Sequence, residues 1–263
     1  MPQFKHSKLK RLEIKKEEQN ENFDASIKWT VRDAFLAIIF LVAILAAVYF
    51  ITAKIAVVLQ IGERINSSNI TNLSFSVLYG IQVLLMVGVT WFFAVYWRRS
   101  KFKDLGLKYY SIIRTIWYSF LSLFLIFAIN FLYVFLMTKV FKIAPPASKI
   151  EELVINENLS SIILITVVSI IAPLSEELFF RGFLLQAFRK KWGPFTGILL
   201  SSIIFAAAHL ELYNFIPLMA IGWILGYIFH KTKSLMPVIF LHAIYNLLMI
   251  LILFSQLEVI KIY

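Results

Sequence analysis

Three short polar clusters interrupt the apolar C-terminal part of this 263-residue chain. They are Glu176-Glu177 with Arg181, Phe205 with His209, and His242 with Asn246. An ionisable side chain in hydrocarbon costs roughly 2.5–3.5 kcal/mol on insertion scales, so it persists where it has a partner or a task. Five such groups and an asparagine on consecutive membrane helices suggest a reaction centre held inside the bilayer.

Each cluster also has a plainer reading. Adjacent residues point about 100° apart on a helix, so Glu176 and Glu177 should face different partners. Arg181 follows Glu177 by four residues, the spacing of an intrahelical ion pair that would lock the helix. Glu176 is then left without a local cation. It is either a general base or a protonated acid hydrogen-bonded to a neighbouring helix. His209 taken alone reads as a packing residue. His242 and Asn246, spaced i, i+4, share one helix face, and Asn246 alone reads as an interhelical hydrogen bond. Gly222-x-x-x-Gly226 reads as a close helix contact.

Composition supplies the elements that must hold these groups. The chain is 60% hydrophobic and only 16% charged, with a mean hydropathy of +0.80. A soluble domain of this length could not hide so much apolar surface, whereas a bilayer can face it directly. Apolar runs fall at Ala34–Ala53, Leu73–Tyr96, Ile112–Met137, Ser160–Phe188, Phe195–His209, Phe215–Phe229 and Leu235–Phe254. The fold expected is an all-α polytopic transmembrane bundle of about seven spans. A basic tail over residues 1–30, possessing no cleavable-signal pattern, should precede three scaffold helices over 31–140. An external loop over 141–159, with a capping box at Ser148-x-x-Glu151, should lead into a four-helix core over 160–256. The absence of cysteine excludes disulfides, thiolate metal sites and a cysteine nucleophile.

The net charge of +11 resembles that of a nucleic-acid binder until its distribution is examined. With the N-terminus cytoplasmic, 19 of the 26 Lys and Arg fall on the cytoplasmic side, so the basicity reports topology and contact with anionic lipid. No nucleic-acid partner is expected, and the location expected is the cell membrane. Helix four, Ser160 to Phe188, would be about 44 Å long and must tilt or bend within a core of about 30 Å. Pro173 within it should free the carbonyl of Ser169 and kink the helix just before Glu176. Counted from the cytoplasmic ends near Arg189, Gly193 and Ser234, Glu176 lies about 20 Å deep, His209 about 24 Å, His242 about 12 Å and Asn246 about 18 Å. Four polar groups on three helices thus share one slab, as a site requires.

In this order on successive helices, Glu176-Glu177-x-x-x-Arg181, Phe205-x-x-x-His209 and His242-x-x-x-Asn246 resemble the signature of the CPBP family. That family comprises the CaaX proteases and bacteriocin-processing enzymes, also called Abi proteins, and includes the type II CaaX prenyl endopeptidase, the Ras-converting enzyme. The resemblance covers roughly Ser160–Phe254, and the loop Phe102–Leu107 is similar to one common in these proteins. It implies an intramembrane endopeptidase in which Glu176 activates water, His209 helps to hold that water, and His242 and Asn246 donate to the oxyanion. The implied substrate is a membrane-associated peptide or lipid-modified protein, of prenylated CaaX type or a bacteriocin leader. Glu176, His209 and His242 also match the ligand count of a catalytic zinc site. The local His-Glu-x-x-His pattern is absent, so no cofactor is the reading preferred and zinc the alternative. A different class stays open: a non-catalytic scaffold or bacteriocin-immunity protein that binds a peptide in the same cavity.

Overall fold

The computed structural model describes residues 23–59, 67–146 and 160–262. Most of the tail expected over 1–30, and all of the capping-box segment at Ser148-x-x-Glu151, lie outside them. Every regular element among the described residues is a helix. Helix α1 spans Val31–Leu59, α2 spans Ser67–Thr90 and continues as a π-helical turn over Trp91–Trp97, and α3 spans Ile112–Phe135 with a second π turn over Leu136–Val140. A run of 48 residues, Ser161–Ala208, follows. It would measure about 72 Å if straight, far beyond one crossing. Gly193, with φ 83° and ψ 167°, breaks it next to Pro194, making two antiparallel helices, α4 (161–192) and α5 (194–208). Helices α6 (Phe215–Thr232) and α7 (Met236–Ile262) complete the bundle. Among the described residues six runs are long and apolar enough to cross a membrane, and the fourth is folded double, consistent with about seven spans. The protein is an integral membrane protein.

Helix α4 lies at the centre. Every residue from Glu177 to Arg189 is buried, because α1, α2, α5, α6 and the loop after α2 pack around it. By contrast α3 turns Ile113, Phe124 and Phe131 outward, as a lipid-facing helix should. Close approach at the centre needs small residues. A Cβ on Gly222 would lie 3.1 Å from Ser202 Cα, and one on Gly226 would lie 3.1 Å from Ile198 Cγ2, so α6 settles against α5 at these glycines.

The loop Phe102–Leu107 braces the central helix. Phe102–Leu105 form a 3-10 turn, opened by Lys101 N–H donating to Asp104 Oδ2 at 2.8 Å and closed by Gly106 in the left-handed region. Gln186 on α4 donates to the Asp104 carbonyl at 3.0 Å, and Leu235 N–H donates to the Gly106 carbonyl at 2.9 Å. A Cβ at Gly106 would meet Phe229 Cε2 at 2.7 Å. Left-handed backbone alone costs a non-glycine residue roughly 1–2 kcal/mol. Gly106→Ala should therefore lower the thermal unfolding midpoint in detergent; an unchanged midpoint would show that the loop is not under this constraint.

One end of the bundle is basic. Arg98 forks onto Asp33 with two bonds of 2.8 Å, Lys28 donates to the Arg99 carbonyl at 3.0 Å, and Arg189 pairs with Asp24. Lys108, Arg189 and Lys233 surround the Phe23 ring at 4.7, 5.7 and 5.9 Å. Burial and then the Arg189 charge hold the Lys233 ammonium down at about 7. Nearby, Trp29 is fully buried, stacks on Phe183 and donates from Nε1 to the Phe183 carbonyl at 2.9 Å.

Candidate active site

Two π turns shape α4 around the glutamates. The first covers Val167–Ile171 and the second Leu178–Leu185, with a short α segment, Ala172–Glu177, between them. The kink expected at Pro173 takes this form, and the freed carbonyl differs from the one expected. In the wide register Ala172 N–H donates to the Val167 carbonyl. The next carbonyl, Val168, would look to residue 173, and proline has no N–H to offer. Asn246 fills the gap, its Nδ2 donating to the Val168 carbonyl at 2.9 Å. One carboxamide hydrogen of Asn246 is thereby used to tie α7 to α4, and one remains.

Glu177 is fully buried and shared. Its Oε1 accepts from Arg181 Nη1 at 2.8 Å and stands 2.7 Å from His242 Nδ1. Arg181, also fully buried, donates from Nη2 to the Gly222 carbonyl at 3.2 Å and lies over the Phe205 ring, 4.4 Å from its centroid. The guanidinium is thus spent on a carboxylate, a carbonyl and a π face. Glu176 differs. Its side chain is 13% exposed, its Oε2 is buried without a hydrogen-bond partner, and that oxygen lies 3.9 Å from His242 Nε2. Adjacent glutamates do point apart, but imidazole carries nitrogens on two sides, so His242 faces both.

Phe205 is the hub of the second cluster. Its ring meets His209 edge-on at 4.7 Å and His242 at 5.8 Å. His209 caps α5, and its Nδ1 lies 2.8 Å from the Phe205 carbonyl. A carbonyl can only accept, so Nδ1 carries the proton and Nε2 of neutral His209 presents a lone pair. The same reasoning applied to His242 puts a proton on Nδ1, facing the Glu177 carboxylate. Its Nε2 then donates only in the imidazolium form.

Glu176, Glu177, Arg181, Phe205, His209, His242 and Asn246 are therefore brought together from α4, α5 and α7. The sequence reading missed the Val168 carbonyl and Trp29, and it gave Gly222 as a close helix contact without its carbonyl's role as an acceptor for Arg181; backbone acceptors carry no residue-type signal. Among the described residues no group of three or more His, Cys, Asp or Glu is arranged to hold a metal ion.

Comparison with known proteins falls on the same helices. Residues 158–248 match the family described as "Type II CAAX prenyl endopeptidase Rce1-like". This segment is homologous to the Rce1-like membrane peptidases. The Rce1-like segment includes all seven residues gathered above. The chain is 31% identical over 101 residues to the "Putative membrane peptidase YdiL" of Bacillus subtilis, covering 38% of this chain and 40% of that protein. It is 33% identical over 94 residues to an "Uncharacterized 24.3 kDa protein" of Escherichia coli, covering 35% of this chain and 43% of that one. The chain thus spans about two fifths of the length of the curated relatives it matches. No solved structure matches.

Proposed function

We propose that this protein is an intramembrane endopeptidase in which Glu176 activates water to cleave a membrane-associated peptide or lipid-modified protein. The observation that carries the reading is the contrast between neighbours: Glu177 Oε1 is bound to both Arg181 and His242, while Glu176 is partly exposed and its nearest charged neighbour, His242 Nε2, stands 3.9 Å from Oε2, beyond hydrogen-bond reach. Oε2 of each carboxylate makes no hydrogen bond. A water donating to Glu176 and to the lone pair of His209 Nε2 is held at both hydrogens, its oxygen free to attack. Glu176 takes one proton as the oxygen adds to the scissile carbonyl. His242 Nε2–H, in an imidazolium balanced by Glu177, and the remaining Asn246 N–H donate to the oxyanion. Glu176 then returns the proton to the departing amide nitrogen as the C–N bond breaks. The partner class is a peptide in the bilayer, prenylated or not, and no cofactor is needed for these steps.

The test is cleavage of an internally quenched apolar peptide by purified protein in proteoliposomes after exhaustive chelation. Activity should survive. Asn246→Ala removes one donor, which typically costs 10²–10³-fold in turnover, so the variant should be slow and not dead. Zinc present at one per chain, released by His209→Ala and by His242→Ala and restoring chelated enzyme, would replace this mechanism with a metal-dependent one. A protein that binds the peptide without cutting it would be a scaffold or immunity protein instead.

A further inference from the structure

We propose that the cavity between α1 and α2 at the basic end is a binding site for one anionic phospholipid of the phosphatidylglycerol kind. The site is separate from the glutamates and histidines, and it stands whether or not the peptidase reading holds.

The cavity encloses about 400 Å³, within the roughly 300–1,000 Å³ of ordinary ligand sites. Its polar rim is Arg32 and Asp33 on α1 with Arg98 directly after α2, and its apolar walls are Leu36, Phe92, Phe93 and Trp97. The apolar crossing segments run Val31–Thr52 and Phe75–Trp97, so both arginines stand at the edge of the apolar slab. Leu36 lies four residues deeper along α1, about 6 Å at helical rise, and Phe92 lies six residues deeper along α2. Guanidinium groups at the boundary and an apolar slot beneath them follow the order of a phospholipid, phosphate first and acyl chains below.

The donors and acceptors of the rim decide the charge of the occupant. Both oxygens of Asp33 are already used. Its Oδ2 accepts from Thr30 N–H at 2.7 Å, from the Thr30 hydroxyl at 2.9 Å and from Arg98 Nε at 2.8 Å, and its Oδ1 accepts from Arg98 Nη2 at 2.8 Å. The carboxylate is also buried, so it has little to offer an incoming ammonium. A guanidinium carries five N–H groups, and Arg98 spends two of them on Asp33. Arg32 stands exposed on the same rim. Among the lining side chains the mouth thus presents spare donors and spare positive charge but no free carboxylate, which fits a phosphate diester. A choline or ethanolamine headgroup would bring a second cation beside Arg32, whereas a glycerol headgroup brings none. Inorganic phosphate would leave the apolar walls unused. Phe92 lies 5.7 Å from Tyr96 and 6.2 Å from Trp97, ring to ring, and Leu36, Phe92 and Trp97 are all exposed, as a slot for an acyl chain requires.

The test follows the unfolding midpoint of the purified full chain in detergent as dioleoyl-phosphatidylglycerol is added. At ten times its dissociation constant the lipid should raise the midpoint by about 3–6 °C. Dioleoyl-phosphatidylcholine and inorganic phosphate at the same concentration should leave it near its starting value. Arg32→Gln, chosen because buried Asp33 needs Arg98, should remove most of the rise. Leu36→Trp, which fills the slot from its apolar side, should do the same. Lys191→Gln removes an exposed cation that does not line the cavity and should keep the rise. Native mass spectrometry should find one phosphatidylglycerol retained per wild-type chain and lost from both cavity variants. Equal losses in Arg32→Gln and Lys191→Gln would reduce the effect to diffuse attraction to the basic end and overturn the proposal. A matching rise with phosphatidylcholine would overturn the anionic headgroup, and a rise with inorganic phosphate alone would make this a free-anion site instead. If Arg32→Gln does not fold, Leu36→Trp decides: bound lipid retained overturns the proposal, and bound lipid lost supports it.

Discussion

Replacing Glu176 by Gln should abolish cleavage while leaving the protein inserted and folded. Gln has the shape of Glu and cannot take a proton from water, and removing a general base typically costs 10²–10⁴-fold. Glu176 Oε2 makes no hydrogen bond, so the substitution breaks none at that oxygen. The unfolding midpoint in detergent should move by no more than about 2 °C, the change expected of roughly half a kcal/mol in a chain of this size. Cleavage that persists in this variant would remove Glu176 from the chemistry. Loss of folded protein would show that it holds the bundle together instead.

Glu177→Gln should do the reverse and cost folded protein first. Arg181 would keep a full charge at zero exposure with a carbonyl and two rings as its remaining neighbours, and breaking a buried pair costs about 3–5 kcal/mol. His242 would keep at most a neutral carboxamide oxygen in place of the carboxylate 2.7 Å from its Nδ1. The double variant Glu177→Gln with Arg181→Met separates these two effects. Removing the stranded charge should recover much of the yield, whereas cleavage should stay low because His242 is no longer aimed. Equal destabilisation by Glu176→Gln and Glu177→Gln would sink the division of labour between the two glutamates.

The spans were legible because lipid imposes hydropathy on any helix that crosses it, and the basic connections pointed to one end because most of the Lys and Arg lie there. The candidate site was legible in outline for a related reason: ionisable groups at mid-depth are too costly to be scattered. What stayed hidden is register. Nothing in Leu178–Leu185 announces a π turn, since neither its three phenylalanines nor Gly182 is specific to that register, and only Pro173 hints at the first. The shift of the orphan carbonyl from Ser169 to Val168 follows from that turn. So does the use of Asn246 to satisfy it. The reach of His242 to both glutamates was hidden too, because helical spacing describes one helix while an imidazole bridges two. Gly193 did mark a connection, and its left-handed φ folds a continuous 48-residue run into a hairpin.

The way residues 23–30 are held has a consequence for how the molecule is made. Asp24, Ile27 and Trp29 find their partners Arg189, Lys190 and Phe183 between 154 and 165 residues later. During synthesis α1 is delivered long before any of these partners has left the ribosome. Trp29 must wait at the water boundary, where its amphipathic ring is comfortable, until α4 arrives. Completion of the basic end is therefore a late step of biogenesis, after insertion of the first four helices. A chain truncated before Phe183 should present Trp29 and Asp24 to the quality-control proteases of its membrane.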